Sequence, residues 1–181
     1  IWLPEGLAHD PHLRARIVGS YVAWGTGGHT DEFVRFADER TVLLAWPDEE
    51  EARRHPVARL NLQLMQRNAK ILATARTLSG EPLNVLRVPM PRIIERPRRL
   101  SDTADVDRFD EWTPDFFAPS ERLRAGDTVI QVATASYLNF VIGNGVLVLP
   151  DYLPHGTSAA TQARVTRQFQ RAFPGRDIRL V

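Results

Sequence analysis

One order of elements occurs twice in this chain and restricts its fold more than any other feature. Strand, tight turn, strand, helix, strand is predicted over residues 33–88 and again over 137–181. In the first copy, Phe33–Phe36 and Thr41–Trp46 are β-rich runs joined through Ala37-Asp38-Glu39-Arg40 as a hairpin. Pro56 suits a first helical turn, and Val57, Leu60, Leu64, Ile71, Leu72 and Ala75 follow at helical spacing with Asn68 interrupting the stripe. Ser79-Gly80 is expected to end that helix before a strand at Asn84–Val88. In the second copy, a strand over Tyr137–Ile142 meets Val146–Pro150 through a Gly143-Asn144-Gly145 turn. A helix follows from about Ser158 to Phe173, with Val165, Phe169, Ala172 and Phe173 on one face, then a strand at Asp177–Val181. Repeated ββαβ units imply modules that pack on one another, each burying what it cannot bury alone.

Side by side, Phe33-Val34-Arg35-Phe36 aligns with Tyr137-Leu138-Asn139-Phe140, and Ala45-Trp46-Pro47-Asp48 with Val148-Leu149-Pro150-Asp151. Arg35 then stands opposite Asn139, each a polar residue among apolar neighbours, and two packed modules could aim them at a common centre. His29 and Asp31 fall opposite Ala133 and Ala135. The polar pair therefore belongs to one module only, as expected of a pseudo-symmetric fold with a single site.

That pair sits in Gly25-Thr26-Gly27-Gly28-His29-Thr30-Asp31-Glu32-Phe33. In an extended chain His29, Asp31, Phe33 and Arg35 would share one face, and Thr30, Glu32, Val34 and Phe36 the other. An imidazole with a carboxylate beside it suits proton transfer near a bound cation; a loop histidine next to a capping acid would have the same spacing. The glycines fit a hinge or a close-approach loop rather than a phosphate cradle, since neither GxGxxG nor a following Lys-Ser/Thr is present. His9, Asp10, His12, His29 and Asp31 carry metal-ligating groups, but at no compact ligand spacing. Asn139 is unusual in a predicted strand, either as a hydrogen-bonding group for a substrate or as a satisfied buried amide.

Residues 89–127, rich in proline and arginine and then acidic over 102–111, read as an irregular excursion whose Trp112 and Phe116-Phe117 need burial. The acidic stretch is the expected partner of the arginine run 92–99. Thr128–Ala133 resumes regular structure. With 23 basic against 22 acidic residues, there is no general case for nucleic acid or an anionic membrane as partner. No apolar run approaches the roughly 20 residues of a membrane helix. The 181 residues suggest one domain, and strand-like ends without an initiating Met suggest an internal segment of a longer protein. The absence of cysteine rules out disulfides, thiolate metal sites and a cysteine nucleophile within it.

Gly28-His29-Thr30-Asp31 followed by Arg35-Phe36 and Thr41-Val42-Leu43-Leu44 resembles the bacterial agmatine deiminase family, in the guanidino-group-modifying superfamily alongside the peptidylarginine deiminases. Ile1-Trp2-Leu3-Pro4-Glu5-Gly6-Leu7, Ser136-Tyr137-Leu138-Asn139-Phe140 with Asn144-Gly145 and Pro150, and Phe173-Pro174-Gly175-Arg176 match in the same order, while 89–127 matches worst. The resemblance implies an α/β fold of the pentein type, a five-module propeller of which residues 1–181 would be part of one catalytic domain. It implies a cytoplasmic hydrolase acting on a small-molecule guanidino substrate without metal or organic cofactor; a homo-oligomer is compatible with it. By motif, His29 would be the general acid–base residue and Asp31 the carboxylate that binds the guanidinium. Asn139 would contact the substrate, and Arg35 is only a motif position. The family's cysteine nucleophile would lie just beyond Val181, and a second acidic residue upstream of Ile1. Agmatine, free arginine and peptidylarginine remain alternative substrates, and a non-catalytic propeller that binds or assembles is the rival from another class.

Overall fold

The structure, a computed structural model, describes residues 3, 6–12, 14–102 and 112–181. The predicted N-terminal strand and most of the acidic stretch 102–111 lie outside the described residues. The architecture is mixed α/β, with three separate sheets among the described residues.

Strands β1 (Arg14–Val18) and β2 (Tyr21–Trp24) form an antiparallel hairpin. Strands β3 (Val34–Phe36) and β4 (Thr41–Trp46) form the predicted second one. Its turn is closed by Asp38, whose Oδ1 accepts from Arg40 N at 2.8 Å and Thr41 N at 2.7 Å. Thr41 through Ala45 are all buried, as a strand covered on both faces requires. Helix α1 (Glu49–Arg54) starts at Asp48, which caps the amides of Glu50 and Glu51. His55 is extended, as the residue before a proline favours, and α2 (Pro56–Thr74) begins at the proline.

The buried face of α2 is Val57, Asn61, Met65, Asn68 and Leu72, one residue out of phase with much of the predicted stripe. Asn68 thus belongs to the stripe instead of interrupting it. Asn61 is buried because it is satisfied: Oδ1 accepts from Ala8 N at 2.8 Å and Nδ2 meets His9 Nδ1 at 2.8 Å. The helix stops at Thr74 rather than at Ser79-Gly80, which instead close a turn from Thr77, with Gly80 N donating to Thr77 O at 3.0 Å.

β5 (Asn84–Pro89) runs parallel to β4, completing a sheet of order β3-β4-β5. The stretch predicted as an irregular excursion contains β6 (Glu95–Arg99), which pairs antiparallel with β7 (Thr128–Val132). β7 in turn pairs parallel with β2, giving the order β1-β2-β7-β6. The pairing was hidden because β6 is arginine-rich and carries Pro97, which an edge strand tolerates. Trp112 and Phe117 do bury, with Val22, Leu100 and Val129, in a core of their own; Phe116 stays partly exposed.

β8 (Val141–Gly143) and β9 (Val146–Leu149) form a hairpin across Asn144-Gly145, as predicted. The strand begins at Val141, however, not Tyr137. Residues 137–140 form a turn in which Tyr137, Leu138 and Phe140 are buried and Asn139 is exposed, a pattern without the alternation of a strand. Helix α3 (Ala159–Ala172), capped by Ser158, leads to β10 (Asp177–Leu180), parallel to β9. The main core joins β4, α2, Tyr137, Leu138, Phe140, β9 and α3, where Phe169 meets Phe140 edge-on at 5.0 Å. Ala45 N donates to Phe33 O at 2.9 Å, so the start of β3 and the end of β4 lie together. The segments leading into β3 and out of β4 thus share one end of that sheet.

Candidate active site

The glycine loop before β3 is shaped by a close approach. A Cβ added to Gly25 would fall 2.0 Å from the Pro11 carbonyl oxygen, and Gly27 N donates to that oxygen at 3.1 Å. Pro11 and Gly27 thus hold together the two ends of the segment carrying β1 and β2. Gly28 has φ of +73°, open to glycine at little cost. These contacts favour the close-approach alternative over a hinge.

Beneath the loop lies Asp10, nearly fully buried. Its Oδ1 accepts from Thr26 N and from Thr26 Oγ1 at 2.9 Å, and its Oδ2 from His29 N at 3.0 Å. A buried carboxylate is tolerable when several N–H and O–H donors surround it. Here those donors are the loop itself, and Asp10 thereby fixes the backbone that carries His29. Sequence reasoning weighed Asp10 only as a metal ligand and missed this role, because β1 and β2 separate it from the loop.

The pattern His29–Asp31 is not extended. Thr30–Glu32 form one turn of 3-10 helix, with Glu32 N donating to His29 O at 3.1 Å. Three residues per turn place Glu32, not Asp31, over His29 along the axis. His29 and Asp31 still come together, with Nδ1 and Oδ1 4.0 Å apart and side chains 61% and 49% exposed. An open pair at that distance has little mutual attraction in water and is available to a ligand.

Glu32 is the site residue that sequence reasoning did not select. It is 6% exposed, and its carboxyl lies above the ordinary range chiefly through burial, with Asp10 and Asp31 adding to the effect. A hydrogen bond from Asn139 and the nearby His29 act in the opposite direction. Asn139 Nδ2 donates to Glu32 Oε1 at 2.7 Å. The structure therefore brings His29, Asp31 and Asn139 into one neighbourhood, with Glu32 as the link. Its reading as a buried amide does not hold, since Asn139 is exposed.

Arg35 does not converge with Asn139 on a common centre. Its Nη1 donates to Leu138 O at 3.3 Å and Phe140 O at 2.5 Å, and its guanidinium lies 3.9 Å from the Phe140 ring centroid. It ties β3 to the turn before β8. His9 is buried among Asn61 and the backbone near Ala135, which lowers its pKa to about 4, mainly by desolvation. Among the described residues no three His, Asp or Glu side chains are placed to hold a metal ion. No helix among the described residues is long and apolar enough to cross a membrane.

A cleft of about 500 Å³ lies elsewhere, lined by Glu51, His55, Arg92, Ile93, Glu95 and Thr157 among others. Its carboxylates are engaged: Glu51 accepts from Ile93 N at 3.0 Å, and Glu95 meets His55 Nε2 at 2.6 Å. None of the predicted site residues lines it. Chemistry, not volume, selects the neighbourhood of His29.

Relatives of the chain are enzymes by name. It is 27% identical over 181 residues to the agmatine deiminase of Pseudomonas aeruginosa (strain UCBPP-PA14), covering all of this chain and 38% of that protein. It is 28% identical over 183 residues to that of Stutzerimonas stutzeri (strain A1501), with the same coverage. Its fold is similar to that of the agmatine deiminase of Enterococcus faecalis, at a TM-score of 0.54 and 21% identity over 87% of this chain and 36% of the other. The chain thus spans well under half the length of these relatives. The family model for Porphyromonas-type peptidyl-arginine deiminase matches residues 1–181, and the chain belongs to that family.

Proposed function

We propose that the protein containing this chain hydrolyses the guanidino group of agmatine, giving N-carbamoylputrescine and ammonia. Residues 1–181 would be part of one catalytic domain of pentein type, with ββαβ modules at about 33–88 and 137–181. The observation that carries the proposal is the open His29–Asp31 pair, held over buried Asp10 and joined through Glu32 to Asn139.

A guanidinium is a resonance-stabilised, poor electrophile, so hydrolysis needs orientation and a strong nucleophile. Asp31 would accept paired hydrogen bonds from two guanidinium nitrogens. A cysteine thiolate supplied outside these 181 residues would add to the guanidinium carbon. His29 would donate a proton to one nitrogen, which leaves as ammonia with its bonding pair, giving a thiouronium intermediate. Neutral His29 would then take a proton from water as the hydroxyl oxygen attacks that carbon. The carbon–sulfur bond breaks to release the thiolate and the urea, and the remaining hydroxyl proton passes to solvent, where the ammonia takes it up as ammonium. The relatives that the chain matches are named agmatine deiminases, which favours agmatine over arginine.

The test is turnover by the full-length protein, with agmatine and free arginine compared. His29→Ala is expected to lower kcat by about 10²–10⁴-fold, the range of acid–base catalysis. Parental turnover by His29→Ala would remove His29 from the mechanism. Failure of the parent protein on both substrates would favour a binding module.

A further inference from the structure

We propose that Glu32 is a positioning residue: it holds the Asn139 amide so that the carbonyl oxygen, not the amino group, faces a bound guanidinium. The proposal rests on the deiminase reading above and adds to it a residue that never touches the reacting atoms.

The orientation follows from hydrogen-bond chemistry. An ionised carboxylate can only accept, so the Asn139 group turned toward Glu32 Oε1 must be the NH₂. The amide is planar, and Oδ1 therefore points away from Glu32. It accepts from none of the described residues, and Asn139 is exposed. A guanidinium has five N–H donors and no acceptor. It would bind an amide oxygen and be repelled by an amide NH₂. An unrestrained asparagine presents either group, whereas one fixed by Glu32 presents only the oxygen.

The geometry makes Glu32 suited to this and unsuited to a direct role. The 3-10 turn at Thr30–Glu32 directs its side chain inward while His29 and Asp31 stay open. Its bond to Asn139 connects positions 107 apart in sequence, so it sets one wall of the site relative to the other. The carboxyl group faces Asp10, Asp31 and His29, and it also acts electrostatically on Tyr152. A protonated Glu32 becomes a donor and would favour the flipped amide, so guanidinium binding should weaken as the pH falls through its raised titration.

The experiment uses the full-length protein with agmatine. Glu32→Leu and Asn139→Leu are each expected to raise KM about tenfold, the scale of one charge-assisted hydrogen bond, with kcat little changed. The double variant should be no worse than either single one, because both changes remove the same oriented oxygen. Glu32→Gln carries a donor beside its acceptor, as the protonated carboxyl does, and leaves the Asn139 amide free to flip, so it should raise KM at neutral pH and lose the acid-side weakening of binding. Additive effects, or a KM rise in Glu32→Leu without one in Asn139→Leu, would overturn the proposal. If Glu32→Leu fails to fold, Asn139→Leu and Glu32→Gln decide the matter: an unchanged KM in the first, or a persistent acid-side weakening in the second, overturns it. Loss of turnover in His29→Ala alongside unaltered KM in the Glu32 variants would sink this inference alone. Turnover unaffected by His29→Ala would sink the deiminase mechanism instead.

Discussion

Asp10 Oδ2 accepts the backbone N–H of His29 at 3.0 Å, so a buried carboxylate nineteen positions upstream sets where the exposed imidazole stands. The same side chain holds Thr26 by its amide and hydroxyl. Asp10→Ala should lower kcat about a hundredfold, through displacement of His29 from its working position. It should also cost about 1–3 kcal/mol of stability, because the loop donors lose their acceptor. Turnover and a denaturant midpoint on the same preparation check both.

His9 is expected to make the fold acid-sensitive. Its folded pKa is lowered to about 4 from the ordinary 6.5, so between those values the unfolded chain binds the proton and the folded one does not. Its stabilising contribution is fully present above pH 6.5 and is lost as pH falls toward 4. The gap of about 2.5 units at 1.36 kcal/mol each is worth about 3 kcal/mol. Unfolding free energies at pH 7 and pH 4.5 should differ less in His9→Gln than in the parent. An equal difference would place the acid sensitivity elsewhere.

Arg35→Lys should destabilise the protein by about 1–2 kcal/mol, since an ammonium cannot reproduce the planar stack on Phe140 along with the carbonyl contacts. KM for agmatine should change little if Arg35 only ties β3 to the turn before β8. A large KM change without a stability change would place it in the substrate site.

Phe169→Ala should cost about 3–5 kcal/mol, because Phe169 is fully buried between Phe140 and Phe173. Phe36→Ala, at a side chain 55% exposed, should shift stability by no more than about 0.5 kcal/mol. Thermal unfolding of the two variants side by side measures the contrast.

Local chemistry determined much of this protein from the sequence alone. The Asp38 turn, the Asn144-Gly145 hairpin, the proline start of α2 and the Ser158 start of α3 each depend on a few adjacent residues, and those residues were readable. Of the three aromatic residues expected to bury, Trp112 and Phe117 do and Phe116 does not, and their partners are not legible in the sequence. His29, Asp31 and Asn139 were singled out from their types and neighbours. What the tertiary structure decided is everything that joins distant segments. Burial of Asn61 and Asn68 shifted the face of α2, and pairing with β7 turned an arginine-rich stretch into β6. A tight turn replaced the extended run at His29–Asp31, which buried Glu32 and gave it to Asn139. Asp10 reached His29 only because Pro11 and Gly27 bring together the ends of the segment carrying β1 and β2. Hydrogen-bond partners at such separations are chosen by which groups burial leaves unsatisfied, and a sequence does not state that until the chain is packed.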